Sequence, residues 1–403
     1  MTTTINNKHN KLNFSSEREQ SQACLNSAEH EKNQGRKVLN VPNLRFKEFE
    51  GEWNSFLIKD VCSEFKSGKN IKADSISESG EYPVYGGNGL RGYTYSYNHE
   101  GLYVLIGRQG ALCGNVRSVN GKTYITEHAI AVAGNEKSNT SFLHYLFIKM
   151  NLGQFSDQSA QPGLAVNKLL KLKVILPSIS EQTKIARLLS LLDECIATQN
   201  KIIEDLKKLK CAIIEKVYSE IQGKEYSYGQ LFDVVNERNK QMEYSNILSA
   251  SQEKGMVNRD DLNLDIQFER SNINTYKIVK KGDYVIHLRS FQGGFAFSDK
   301  LGVCSPAYTI LRPNSILEYG YLSNYFTSQR FIKSLVLVTY GIRDGRSINV
   351  DEWLRMKITI PPKEHQQYIV KVIGTFERKI EDEEAYAAQL SIQKQYLLRQ
   401  MFV

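Results

Sequence analysis

Two long stretches of this chain carry the same pattern, one running up to Pro177 and on into a charged apolar repeat, the other doing the same from Pro361. A repeat of this length sets the architecture before any local element is considered. Val174-Ile-Leu-Pro177 matches Ile358-Thr-Ile-Pro361, with Val166 falling on Val350, Leu170 on Leu354, Lys173 on Lys357 and Gln182 on Gln366. Beyond the prolines, Ile185 meets Ile369, Leu189 meets Ile373, Ile196 meets Ile380 and Leu206 meets Leu390. Earlier blocks align after small length changes of the kind loops accept. Gly101-Leu-Tyr-Val-Leu105 parallels Gly282-Asp-Tyr-Val-Ile286, with Arg108 and Arg289 the same distance beyond, and Trp53 through Val61 resembles Tyr226 through Val234.

The repeat divides the chain into five parts. Residues 1–40 are polar and lack a hydrophobic period, which predicts a mobile tail. Residues 41–178 form a first globular domain, 179–221 a helix, 222–361 a second domain and 362–403 a second helix. Within the domains, Gly101-Leu-Tyr-Val-Leu-Ile106 and Asp283-Tyr-Val-Ile-His-Leu288 are short strand patterns, and Tyr82-Pro-Val-Tyr-Gly-Gly-Asn-Gly-Leu90 reads as a strand entering a turn. Ser141 to Met150 and Tyr319 to Phe326 read as short helices. Both domains are therefore expected to be α+β.

The first long helix starts after Pro177, with Ser178 or Ser180 to cap it and Glu181 in its first turn. Its apolar positions, Ile185, Leu189, Leu192, Ile196, Gln199, Ile203, Leu206, Lys210, Ile213 and Val217, alternate in steps of four and three, the spacing of a heptad seam. The second helix repeats the phase from Ile369 to Met401. An antiparallel coiled coil is expected, holding two globular domains apart. The polar seam residues suggest a register with Gln199 facing Lys394 and Lys210 facing Glu383. That register also brings together Leu192 and Met401, Ile196 and Leu397, Ile203 and Leu390, and Ile213 and Ile380. Each helix would be roughly 60 Å long, a rod suited to two DNA sites about one helical turn apart.

Composition narrows the function. Hydrophobic residues make up 41% and charged ones 24%, as in a soluble globular protein, and no apolar run has the length of a membrane span. The polar start of the chain lacks a signal-peptide core, so a cytoplasmic location is expected. Six scattered cysteines form neither a Cys-x-x-Cys pair nor a Cys/His cluster, which predicts reduced, mostly buried thiols and no metal site. A net charge of +8 is compatible with a polyanionic partner. The sequence contains no Asn/Asp-Pro-Pro-Tyr motif for amino methylation and no phosphate-binding loop of the Gly-x-x-x-x-Gly-Lys-Ser/Thr type. Gly86-Gly-Asn-Gly89 reads as a turn, and His99, His128 and His287 as structural or DNA-facing.

Tyr82-Pro-Val-Tyr-Gly-Gly-Asn-Gly-Leu-Arg-Gly-Tyr93, Leu105-Ile-Gly-Arg-Gln-Gly110, Leu176-Pro-Ser-Ile-Ser-Glu-Gln182 with Lys184-Ile-Ala-Arg187, and the terminal Tyr396-Leu-Leu-Arg-Gln-Met-Phe402 together resemble the specificity (S) subunit of type I restriction–modification enzymes. The resemblance spans the chain from about residue 41. It departs at His365-Gln366, where Glu-Gln would repeat, and at Asn246-Ile-Leu-Ser-Ala-Ser, which replaces Tyr-Pro-Val-Tyr-Gly-Gly in the second domain. The resemblance implies a non-catalytic reader of double-stranded DNA, with two target-recognition domains for a split, asymmetric site. It implies helices that bind two methyltransferase (modification) subunits, and association with restriction (endonuclease and translocase) subunits. S-adenosylmethionine, and ATP with Mg for restriction, would be used by those partners, with no cofactor and no metal on this chain. The readings set against it are a coiled-coil protein-binding adaptor without DNA specificity and an enzyme with an unrecognised centre.

Arginine pairs with guanine, and glutamine or asparagine with adenine, each contact worth roughly 1–3 kcal/mol of discrimination. The candidate readers in the first domain are Arg91, Tyr93, Arg108, Gln109, Arg117, Gln158, Gln161 and Asn167, with Lys66, Lys69, Lys72 and Lys168 on phosphates. In the second they are Arg289, Ser290, Gln292, Tyr340, Arg343, Arg346 and Asn349, with Arg238, Lys240, Lys254 and Arg259 on the backbone.

Overall fold

A computed structural model describes residues 39–156, 163–251, 254–262, 270–287, 294–340 and 347–403. The chain divides into two compact units. Unit 1 takes the chain up to Leu192 together with Gln393–Val403, and unit 2 is Asp193–Ile392. No helix among the described residues is long and apolar enough to cross a membrane.

Unit 1 contains strands β1 (Asn54–Leu57), β2 (Cys62–Ser67), β3 (Tyr82–Gly86), β4 (Gly89–Thr94), β5 (His99–Glu100), β6 (Tyr103–Gly107), β7 (Val116–Val119), β8 (Lys122–Ile125), β9 (Ala129–Gly134) and β10 (Lys173–Leu176). Unit 2 contains β11 (Lys224–Ser227), β12 (Phe232–Val235), β13 (Leu248–Ser251), β14 (Gly255–Asn258), β15 (Lys277–Val279), β16 (Tyr284–Ile286), β17 (Phe295–Phe297), β18 (Gly302–Cys304), β19 (Thr309–Pro313), β20 (Thr339–Tyr340), β21 (Ser347–Ile348) and β22 (Lys357–Ile360).

The duplication holds at the level of topology. Unit 1 has a four-stranded antiparallel sheet in the order β2-β9-β6-β7, and unit 2 has one in the order β12-β19-β16-β17. In each unit the entering and leaving strands also pair, β1 with β10 and β11 with β22. Asn54 faces Leu176 and Lys224 faces Ile360, so Asn54 corresponds to Lys224. The motif match of Trp53 with Tyr226 was therefore out of step: it followed the later Asp-Val pair, whereas the register follows the strand that closes the domain.

The two units diverge between these shared strands. Unit 1 carries a second four-stranded sheet, β4-β3-β8-β5, while unit 2 has two-stranded pairs β13-β14 and β15-β18. Ser141–Met150 lies on a helix, Thr140–Met150, capped by the Asn139 side chain accepting from Phe142 N–H. Tyr319 to Phe326 does not form an α-helix. Gly320 sits at a φ of +73°, and turns lead into a short 3-10 segment, Tyr325–Thr327, that still buries Tyr321 and Phe326.

The long helices run Ile179–Ser219 and Lys363–Gln400. They are more than spacers, because their ends belong to the cores. Ile185, Leu189, Leu398, Met401 and Phe402 are buried in the core of unit 1, where Phe402 stacks on Phe142 with ring centroids 5.1 Å apart. Ile214, Tyr218, Ile369 and Ile373 are buried in that of unit 2. Apolar burial at about 25 cal/mol per Å² ties each helix end to its domain.

Within unit 2 the helices pair antiparallel, but not in the register expected from sequence. Gln199 donates to Glu383, Lys210 reaches Glu377 at 2.7 Å and Lys207 reaches Glu384 at 2.6 Å. Ile203 packs with Ile380 and Ala387, beside Leu206, rather than with Leu390. The facing of Lys210 with Glu383 is thus replaced by a register about one heptad away, with Ile203, Ile380, Ala387 and Leu390 buried along the seam. Matching charges by formal sign overlooked that a buried glutamine amide can satisfy a seam carboxylate by hydrogen bonding. Gln199 is 6% exposed.

The thiols are also less buried than expected. Cys304 is buried, Cys62 and Cys113 are partly so, and Cys195 and Cys211 are exposed on the central helix.

Candidate nucleic-acid interface

The glycine-rich segments of unit 1 exist because two backbones cross there. Gly86 and Gly89 close the β3–β4 hairpin around Gly87-Asn88, and Gly89 adopts a φ of +109°. A side-chain carbon on Gly87 would come within 2.7 Å of the His128 carbonyl oxygen and 3.3 Å of Gly107 Cα. One on Gly107 would meet the Gly87 carbonyl oxygen at 2.9 Å. The hairpin tip is therefore pressed against the end of β6 and the β8–β9 connection. The turn reading of Gly86-Gly-Asn-Gly89 stands, and the close approach explains why glycine is needed.

Three arginines surround this crossing. The Arg91 side chain lies over Gly86, the Arg117 guanidinium over Gly89, and Arg108 follows Gly107 directly. Among the described residues none of the three guanidinium groups has an acceptor. The contrast with structural arginines is clear. Arg45 makes two 2.8 Å bonds to the buried Glu181 carboxylate, and Arg312 bonds to Asp283 at 2.9 and 3.0 Å and to Glu237 at 3.0 Å. Those carboxylates raise the pKa of both arginines, Arg312 strongly. Arginine side chains that have no acceptor among the described residues leave their donors open to external anions.

Gln109 is exposed and its backbone bridges to Gly163, while Leu164 N–H donates to the Arg108 carbonyl at 2.9 Å. These contacts bring the segment ahead of Asn167 and Lys168, both exposed on the short helix Val166–Leu169, next to the arginine turn. Tyr93 is half-buried on β4 and paired to Ser77. Lys66 is exposed but held by Glu64 at 3.1 Å, and Lys69 and Lys72 are exposed beside β8. Gln158 and Gln161 lie outside the described residues. Glu64 also receives the buried His99 ring at 3.0 Å and the Tyr103 hydroxyl at 3.2 Å. Burial works against the Glu64 carboxylate, but Lys66 and His99 prevail and hold its pKa below the usual range. His99 is thereby a structural histidine.

Fewer expected sites can be placed in unit 2. Arg289, Ser290, Gln292, Arg343 and Arg346 lie outside the described residues, as does the side chain of Tyr340 on β20. Asn349 is a helix cap: its Oδ1 accepts from Glu352 N–H at 3.2 Å at the start of Val350–Arg355. Arg259 Nε donates to Ser249 at 3.2 Å, and Arg238, Lys240 and Lys254 are exposed. His287, at the end of β16, has its pKa lowered by burial, and its Nε2 finds no partner among the described residues. An unfolded histidine takes up its proton near pH 6.5, whereas the folded ring resists. Unit 2 should therefore lose stability as pH falls below about 6.5. His287→Phe should flatten that dependence in urea unfolding compared at pH 7.5 and 5.5.

Sequence reasoning missed two features. His128 was not singled out as a partner of Gln109, although its ring lies 3.2 Å from Oε1. The Gln of the Glu-Gln motif turns out to be structural. Gln182 Oε1 accepts from Asn139 N–H, and its amide donates to the Lys137 and Pro177 carbonyls at 3.0 Å. Gln366 repeats this on Glu318, Ile316 and Pro361. The departure at His365 has a cause as well. Glu181 serves Arg45 in the segment leading into unit 1, and His365 is simply exposed.

The chain matches the family described as the type I restriction modification DNA specificity domain over residues 50–208 and again over 223–391. It belongs to that family. Each specificity-domain match covers one globular domain and most of the long helix that follows it. The type I restriction enzyme EcoprrI specificity subunit of Escherichia coli is 44% identical over 174 residues, 42% of either chain. A protein of Haemophilus influenzae named as a type I restriction enzyme specificity subunit is 26% identical over 353 residues, 81% of this chain and 88% of the relative. The S subunit of a type I restriction–modification system from M. genitalium shares the fold, with a TM-score of 0.60 at 15% identity over 90% of this chain and 99% of that one. A second structure, titled for complex assembly and conformational transition of the type I R-M system, gives 0.54 at 14% identity over 89% and 99%.

For a specificity domain the crossing at Gly87 has a direct consequence. Gly87→Ala should displace the hairpin that carries Arg91, and on the reading of this turn as a DNA interface it should weaken binding by about 1–3 kcal/mol. Titration of the variant against cognate duplex checks this.

Proposed function

We propose that this chain is the non-catalytic DNA-reading subunit of a type I restriction–modification complex, with each unit reading one half of a split, asymmetric site. The observation that carries this reading is the set of three arginines, Arg91, Arg108 and Arg117, around the Gly86–Gly89 turn, none with an acceptor among the described residues. Arginine forks suit guanine edges and phosphates, and each phosphate neutralised adds about one unit to the salt slope of binding. The difference between the second sheet of unit 1 and the strand pairs of unit 2 supports unlike half-sites.

The long helices are the surface we assign to two methyltransferase subunits, with restriction subunits joining the assembly. In unit 2 one edge of the helix pair is charged, with Lys207 on Glu384 and Lys210 on Glu377. Cys195, Ile202, Leu209 and Tyr386 each stand one position before a seam residue, which puts them along the other edge. Ile202 is 42%, Leu209 48% and Tyr386 51% exposed, so this edge suits an apolar face of a partner helix. S-adenosylmethionine, and ATP with Mg, would act in those partners, in the cytoplasm.

Salt-dependent binding to the cognate duplex, with and without the methyltransferase subunits, tests this reading. Methyl transfer by the isolated chain, or binding unaffected by DNA sequence, would contradict it.

A further inference from the structure

One side chain at the arginine turn does not itself belong among the readers. His128 stands in the β8–β9 connection, its carbonyl against Gly87 and its ring about half exposed. Its Nδ1 lies 3.2 Å from Gln109 Oε1, and its Nε2 lies 3.1 Å from Glu127 Oε1 on the other side. An amide oxygen only accepts, so the contact with Gln109 requires the proton on Nδ1. Gln109 has no other side-chain hydrogen bond among the described residues, and its backbone is held by the bridge to Gly163.

We propose that His128 is a positioning residue for base recognition, acting through Gln109; this rests on the reading of the arginine turn as a DNA interface. A freely rotating glutamine amide offers a donor and an acceptor together, which matches the N6 and N7 edge of adenine. With its oxygen held on His128, Gln109 presents its amide N–H groups to the groove. Donors alone match the O6 and N7 acceptors of guanine. The residue type at position 109 suggests adenine; the histidine beside it turns the preference to guanine.

The test is selection of duplexes from a pool randomised across the half-site of unit 1, using the full chain in its assembled complex. The wild type should prefer guanine over adenine at one position by about tenfold, and Gln109→Ala should lose preference at that position alone. His128→Ala should admit adenine there to within about threefold of guanine, with all other positions unchanged, since the ratio follows from freeing one donor–acceptor edge. His128→Asn, which retains a donor, should restore guanine in part, an outcome not expected of a merely structural histidine. Gln109→Glu, which has no donor, should reject guanine even if His128→Ala folds poorly. An undiminished guanine preference in His128→Ala, or adenine at that position in the wild type, overturns the proposal. If Gln109→Ala and Arg108→Ala both leave the whole profile unchanged, the interface reading itself fails and takes this inference with it.

Discussion

Replacing Arg91, Arg108 and Arg117 together by alanine is expected to abolish recognition of one half of the DNA site while leaving unit 1 folded. None holds a carboxylate among the described residues, so their removal strands no buried charge. Each contact with a base edge is worth about 1–3 kcal/mol, so three readers together account for roughly 3–9 kcal/mol, or at least a hundredfold in affinity. Any of the three that meets phosphate instead lowers the salt slope by about one unit. Binding titrations at several salt concentrations separate the two roles, and the unfolding free energy should stay within about 0.5 kcal/mol of the wild type. Arg45→Ala is the counter-case: it should lower stability, because it leaves Glu181, 1% exposed, without its partner.

The second large effect concerns stability. Gln182→Leu should destabilise unit 1 by about 1–3 kcal/mol, chiefly because it leaves the buried Pro177 carbonyl without its donor, the Asn139 N–H and Lys137 carbonyl being only partly buried. Gln182 is fully buried and joins the start of its helix to Asn139, Lys137 and Pro177. Asn139 in turn caps Thr140–Met150, so one amide ties two helices to the end of β10. Gln366→Leu should do the same to unit 2. Urea unfolding of each variant should show one transition shifted, and the double variant should lose both, the effects adding because the sites share no partner.

The repeat was legible because burial dictates it. Ile185 with Ile369 and Leu189 with Ile373 must all reach a core, so their spacing survives divergence. Helix limits followed from Pro177 and Pro361 for the same reason. The coiled-coil register was less legible: several heptad slips keep Ile203 and Ile380 inside, and the choice falls to polar pairs, Gln199 with Glu383 and Lys210 with Glu377. At the site, composition pointed to Arg91, Arg108 and Arg117. It could not separate them from Lys66, which Glu64 holds, or from Asn349, whose side chain caps a helix. Whether a polar side chain is free or engaged depends on partners distant in sequence. His128 beside Gln109 is such a pairing, formed across 19 residues by the crossing of two glycine backbones.

On the proposed function, unit 1 reads half of a bipartite site through its arginine turn. Mapping methylated adenines in DNA exposed to the assembled complex, with wild-type chain and with the triple arginine variant, tests it most directly. One split, asymmetric motif is expected for the wild type, and for the variant a motif degraded in one half and intact in the other. Loss spread equally over both halves, or an unchanged motif, would contradict it.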